Sequence, residues 1–75
     1  MIDWFTVEDP TRSRVIHFTA AAPVRIVEDD ARDVITVETH GGDGADWTPV
    51  AIAHTYHHAL NLAACHVAAM DPTIL

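Results

Sequence analysis

Residues 24–38, VRIVEDDARDVITVE, decide the fold of this 75-residue chain. Two runs rich in β-branched residues, VRIVE at 24–28 and DVITVE at 33–38, flank the polar segment DDAR at 29–32. A short polar connection between two such runs is typical of a β-hairpin. An antiparallel pair of strands is therefore predicted at the centre of the chain.

Apolar residues in this hairpin occur at both parities of the predicted strands. Val24 and Ile26 alternate with Arg25, but Val27 breaks the alternation. Strict alternation would indicate a sheet with one buried face and one solvated face. Apolar residues at both parities indicate instead a sheet that is covered on one face and partly covered on the other.

Two further strand-like runs precede the hairpin. Residues 2–7 form an apolar run that stops at the turn signal Asp-Pro at 9–10, and RVIHFTA at 14–20 is rich in β-formers. If one face of this second strand is buried, alternation places Ile16, Phe18 and Ala20 on it. The opposite, solvated side would then carry Val15, His17 and Thr19.

A helix is predicted after a glycine-rich loop at 40–47. Thr48 is a suitable N-cap, and Pro49 falls at the first helical position, where its missing N–H costs nothing. Trp47 and Ile52 have the spacing of a hydrophobic staple. The helix is expected to run from residue 48 to residue 70, ending before Asp-Pro at 71–72.

The chain is thus predicted to be a single α+β domain. Residues 1–39 form a three- or four-stranded antiparallel β-meander, 40–47 the loop, 48–70 one long C-terminal helix packed on one sheet face, and 71–75 a tail. A core of this size is marginal. Cys65 is the only cysteine, so neither an intrachain disulfide nor a Cys-rich zinc module can reinforce it. A His-based metal site or burial against a second chain could.

The net charge of −7 restricts the partners. It arises from eleven carboxylates against four arginines. Direct binding to nucleic acid or to an anionic membrane is not expected, because both need a basic patch. The N-terminal sequence MIDWFTVEDP lacks the basic-then-apolar pattern of a signal peptide, so a cytoplasmic location is expected. An acidic surface for a basic partner is predicted at the hairpin tip: Glu28, Asp29, Asp30 and Asp33.

Four of the six histidines lie in HTYHHALNLAACH at 54–66. His54 and His58, at i and i+4 on a helix, could chelate a divalent transition metal such as zinc, but the glutamate of the HExxH motif is absent. Cys65 lies about 10 Å along the helix axis from His58, too far to share the ion easily. Metal binding by His54 and His58 is kept as an alternative, and no catalytic residue or cofactor is expected.

The predicted helix carries no Asp, Glu, Lys or Arg from Trp47 to Met70. Its apolar stripe is expected to pack on the sheet and comprises Ile52, Tyr56, Leu60, Ala63, Val67 and Met70, with Ala59 at its edge. Depletion of charge on the other side is typical of interface cores. This predicted interface consists of Val50, Ala51, His54, His58, Asn61, Leu62, Cys65, Ala68 and Ala69.

The expected function is therefore non-enzymatic. We expect a small acidic protein-interaction module, a homodimer through its uncharged helix, that binds another protein in an adaptor, antitoxin-like or phage-type accessory role. The first alternative is the His-based metal-binding protein. A weaker alternative is an acidic inhibitor of a nucleic-acid-binding protein.

Overall fold

The structure, a computed structural model, describes residues 3–41 and 46–70. These residues form five strands and one α-helix: β1 (Phe5–Asp9), β2 (Arg14–Phe18), β3 (Val24–Asp29), β4 (Val34–His40), β5 (Trp47–Ala53) and α1 (Tyr56–Met70). The strands form one antiparallel sheet in the order β1-β2-β3-β4-β5, and α1 packs on it. The predicted α+β fold is confirmed, with one strand more than expected. The predicted tail at 71–75 lies outside the described residues.

The central hairpin forms as predicted, with its turn one residue later, at 30–33. The Asp29 carboxylate accepts a hydrogen bond from the backbone N–H of Arg32 at 3.2 Å. Asp33 takes a left-handed backbone conformation with φ of 54°, which short polar side chains tolerate. The Asp30 N–H donates to the Ser13 carbonyl at 3.0 Å, so the β1–β2 and β3–β4 turns support each other.

The core lies between α1 and strands β3, β4 and β5. Three small residues spaced four apart, Ala59, Ala63 and Val67, form the fully buried stripe of the helix. Small side chains allow the helix axis to approach the sheet closely. The buried cluster is completed by Val24, Ile26, Val37 and Ala53. Of the predicted stripe, Tyr56 and Leu60 are partly buried against this cluster, whereas Ile52 and Met70 are exposed.

The predicted start of the helix at residue 48 is wrong. Residues Trp47–Ala53 form the fifth strand and pair with β4, so they are not helical, and His40 and Trp47 belong to strands rather than to the loop. Pro49 is compatible with this strand because β5 is at the sheet edge and has an irregular register opposite Val37/Glu38. Long-range pairing therefore outweighs the local capping signal.

Thr55 caps the helix instead of Thr48. Its Oγ1 accepts a hydrogen bond from the N–H of His58 at 3.1 Å, and its carbonyl accepts one from Ala59 at 3.0 Å. A threonine side chain that bonds the N–H three residues later is a typical N-cap. The helix therefore starts where β5 ends its pairing with β4.

The predicted orientation of β2 is also wrong. His17 and Thr19 are buried, while Phe18 is exposed and Ile16 only half-buried. His17 pairs in register with the core residue Ile26, so its side chain lies on the helix side of the sheet. Alternation in the sequence separates the two faces of a strand, but it does not show which face the helix covers.

Candidate functional site

The sheet face opposite α1, here called the open face, carries no second layer among the described residues. One row of side chains crosses all five strands of this face in register: Val7, Ile16, Val27, Thr36 and Ile52. At the two edge strands, Val7 is 48% exposed and Ile52 is 63% exposed. This row is apolar except for Thr36; it is exposed at the two edges of the sheet, while Val27 at its centre is buried.

Aromatic and charged side chains form the neighbouring row of the open face. In register order this row contains Phe5, Phe18, Arg25, Glu38 and Pro49. The Nε–H of Arg25 donates to Oε1 of Glu38 at 2.6 Å. Both side chains are largely buried by their neighbours, so this ion pair interrupts the apolar surface only slightly.

The charges of the open face nearly cancel. At one end the Nε–H of Arg14 donates to Asp9 Oδ2 at 3.3 Å. Asp29 on β3 is the register partner of Arg14 on β2. Together with the Arg25–Glu38 pair, two arginines face three carboxylates, which gives −1. The chain as a whole carries −7, so most of the excess negative charge lies away from this face.

A cavity of about 450 Å³ opens at the end of the open face where β2 leads into β3. The Cζ atom of Arg25 lies 4.4 Å from the centroid of the Trp47 ring, and the His40 ring lies 5.1 Å from that ring. Residues from all five strands and from the connection after β2 line the cavity: Val7, Ile16, Phe18, Thr19, Ala22, Pro23, Arg25, His40 and Trp47.

A polar cluster lies on the helix side of the sheet, around the buried His17. Its Nε2 is 2.7 Å from Oε2 of Glu28, and its Nδ1 is 3.0 Å from Oγ1 of Thr6. With a neutral imidazole, the Nε2–H donates to the carboxylate and the Thr6 hydroxyl donates to Nδ1. Both ring nitrogens are satisfied in this way, which explains how a histidine is accommodated in the core.

The cluster also affects Tyr56, whose ring centroid lies 4.6 Å from that of His17. Burial raises the pKa of the Tyr56 hydroxyl above its ordinary value of 10.0, and the negative charge of Glu28 raises it further. Sequence reasoning missed this cluster because its members come from three strands and the helix. The only signal was a histidine inside an otherwise β-forming run.

The structure does not bring His54 and His58 onto one helix face. His54 precedes the first helical residue, Tyr56, so the i, i+4 geometry of the metal hypothesis does not exist. In the ranges 3–41 and 46–70, no group of three or more potential metal ligands comes together. His54 is not on the helix because α1 begins at Tyr56 rather than at residue 48.

Because α1 begins at Tyr56, the residues of the predicted helix interface lie in different elements. Val50 and Ala51 lie in β5, and His54 lies between β5 and α1. On the helix itself Leu62 and Ala68 are half-buried, and Leu62 packs against the core. The remaining members of the predicted interface are exposed on α1: His58, Asn61, Cys65 and Ala69.

The four carboxylates of the predicted acidic surface are not all in the hairpin turn. Glu28 lies within β3 and bonds His17, and Asp29 ends the same strand, so neither belongs to the turn. Asp30 and Asp33 are exposed in the turn. The four carboxylates still line one shallow cavity of about 140 Å³, together with His54.

The chain matches no protein-family model, no curated protein and no solved structure. Among the described residues, α1 and the short 3-10 turn at Pro10–Arg12 provide no helix long and apolar enough to cross a membrane. The functional proposal therefore rests on the surfaces described above, among them the open face with its exposed Phe5, Val7, Phe18 and Ile52.

Proposed function

We propose that this chain is a non-enzymatic protein-interaction module that forms a homodimer through the open face of its sheet. The observation that carries the proposal is the set of exposed apolar side chains on this face: Phe5, Val7, Phe18 and Ile52. Exposed apolar side chains that are grouped on one face commonly mark interaction sites. The homodimer expected from the sequence is retained, but its interface moves from the helix to the sheet.

The size of the open face suits a weak dimer. Five strands spaced about 4.8 Å apart, each about six residues long at about 3.3 Å per residue, project an area of roughly 480 Å². This area is smaller than the roughly 800 Å² per partner of a standard interface, so we expect a weak dimer in equilibrium with the monomer. Two such sheets would pack about 10 Å apart, as in a β-sandwich.

The charge distribution favours a second copy over a different partner. Two chains of −7 repel each other, but the open face contributes only −1 to that charge. Its arginines are already paired within the chain, at Asp9 and Glu38, so contact would leave no arginine of this face without a carboxylate. A basic partner would instead be attracted to the acidic turn at Asp30 and Asp33.

Sedimentation equilibrium over a range of chain concentrations and salt concentrations tests this proposal. We expect a monomer–dimer equilibrium that shifts towards the dimer as salt increases, because salt screens the repulsion between two acidic chains while apolar burial persists. A chain that remains monomeric at millimolar concentration in high salt would contradict the proposal. So would a dimer that dissociates on adding salt, because it would be held by ion pairs.

A further inference from the structure

The cavity at the end of the open face has the properties of a small-molecule site. Its volume of about 450 Å³ lies within the range of typical ligand pockets. Val7, Ile16 and Phe18 form an apolar wall on one side, and Trp47 lies on the other. Apolar and aromatic walls with few polar groups are the usual composition of such sites.

Arg25 is the polar group best placed to orient a ligand in this cavity. Its Nε–H bonds Glu38 at 2.6 Å, and its guanidinium lies 4.4 Å from the Trp47 ring centroid, so the side chain is held from two directions. A guanidinium has five N–H donors in a planar fork, and the Glu38 bond uses the one on Nε. The fork geometry matches a carboxylate.

Arg25 is the only Asp, Glu, Lys or Arg among the described residues that line the cavity. Arg25 lines the cavity, whereas its counter-ion Glu38 does not, and the described lining residues include no carboxylate. This arrangement stands out in a chain with eleven carboxylates and four arginines. The Glu38 carboxylate neutralises the charge of Arg25, but the Nη–H groups of the guanidinium are still donors for an anionic group in the cavity.

The rim of the cavity is fixed by hydrogen bonds of the β2–β3 connection. Thr19 Oγ1 accepts the N–H of Ala21 at 3.2 Å, and the Ala22 carbonyl accepts the N–H of Val24 at 2.8 Å. The Pro23 carbonyl accepts the N–H of His40 at 3.0 Å, which ties the rim to β4. A pre-formed rim reduces the entropy lost when a ligand binds.

From these features we propose that the cavity binds a small aromatic monocarboxylate. The ring would pack against the apolar wall at Phe18, and the carboxylate would accept hydrogen bonds from Arg25. This inference goes beyond the proposed dimer and does not depend on it. Because the ligand and a second copy would share Val7, Ile16 and Phe18, binding and self-association are linked if both occur.

Calorimetric titration with 2-naphthoate, and with its neutral isostere 2-naphthamide, tests the proposal. The titrations use the wild-type chain and an Ile52→Glu variant, because Ile52 belongs to the open face but does not line the cavity. We expect 2-naphthoate to bind at least tenfold more tightly than the amide. Chemical-shift changes should centre on Arg25, His40 and the Trp47 indole.

Two variants distinguish the role of the planar Arg25 guanidinium from the role of its positive charge. Arg25→Lys keeps the charge and loses the fork, and should weaken 2-naphthoate binding about fivefold or more. The double variant Arg25→Gln/Glu38→Gln removes the ion pair without leaving an unpaired carboxylate, and should reduce 2-naphthoate to the affinity of the amide. Dispersed amide spectra verify that each variant is folded. If the double variant is unfolded, the affinity of Arg25→Lys for 2-naphthoate decides the test.

Three outcomes would overturn the ligand proposal: equal binding of acid and amide, full affinity in the Arg25 variants, or no binding of 2-naphthoate by Ile52→Glu at millimolar concentration. None of them affects the dimer proposal, which depends on the mass of the complex in solution. Conversely, a strictly monomeric chain that binds 2-naphthoate through Arg25 would contradict the dimer and support the site.

Discussion

Phe5 and Phe18 lie opposite each other on β1 and β2, with ring centroids 5.9 Å apart, yet they remain 51% and 39% exposed. A cross-strand aromatic pair stabilises a sheet by about 0.2–1 kcal/mol. That contribution accounts for the pairing of the two rings but not for their exposure to water. Removing apolar surface from water contributes about 25 cal/mol per Å², so covering these rings with a second copy would be favourable.

The N-cap of the helix can be located by a pair of threonine substitutions. Thr55→Ala removes the Oγ1 that accepts the His58 N–H, and should lower the free energy of unfolding by about 1 kcal/mol. Thr48→Ala, at the cap predicted from the sequence, alters an exposed position of edge strand β5 and should change it by less than about 0.5 kcal/mol. Urea unfolding at one fixed chain concentration measures the free energy of unfolding of both variants. The reverse order of effects would place the helix start at residue 48.

Local signals explain why the sequence predicted the hairpin but not the fifth strand. In the hairpin, β-branched runs and a polar turn favour the same structure, and strands β3 and β4 form accordingly. At Thr48-Pro49 the local signal favours a helix, whereas the pairing of Ile52 with Thr36 and of Ala53 with Ile35 favours a strand. Those partners are distant in sequence, so only the folded sheet decides between the two.

The open face was only partly predictable for a related reason. Val27, at the unexpected parity, indicated a second apolar face, and it lies beside Ile16 on the face opposite α1. Sequence alternation could not show that α1 covers the face of His17 rather than that of Phe18. His17 is buried because Thr6 and Glu28, each eleven residues away, satisfy both of its nitrogens.

The His17–Glu28 pair should contribute to stability. His17→Leu replaces a buried polar side chain by an apolar one and leaves Glu28 without its partner, and should destabilise the fold by about 1–3 kcal/mol. Glu28→Gln should cost less, because the Glu28 side chain is one-third exposed and therefore screened by solvent. The control is the double variant in a urea double-mutant cycle. If the two single effects simply add, the pair is not coupled and its role here is disproved.

Tyr56 should titrate at a pH above its ordinary value of 10.0. Its pKa is raised by burial and by the negative charge of Glu28, and as the only tyrosine it gives an unambiguous ultraviolet signal. Glu28→Gln should move the midpoint part of the way back, because burial, the larger cause, remains.

The same shift links the stability of the fold to alkaline pH. The folded-state pKa lies above the unfolded one, so this contribution is fully present below about pH 10 and is lost as pH rises through the folded value. Urea unfolding across the alkaline range should show this loss. A titration midpoint at or below 10, or one unmoved by Glu28→Gln, is incompatible with the described environment of Tyr56.

The central claim is that the open face, rather than the helix, mediates self-association. Val7→Glu and Asn61→Glu each add one negative charge at an exposed position, the first on the open face and the second on α1. The measurement is the mass of each variant in solution, by sedimentation equilibrium at the concentration where the wild-type chain is dimeric, with circular dichroism confirming the fold. We predict a monomer for Val7→Glu and an unchanged dimer for Asn61→Glu. A dimer that persists in Val7→Glu and dissociates in Asn61→Glu would contradict the claim and assign the interface to the helix.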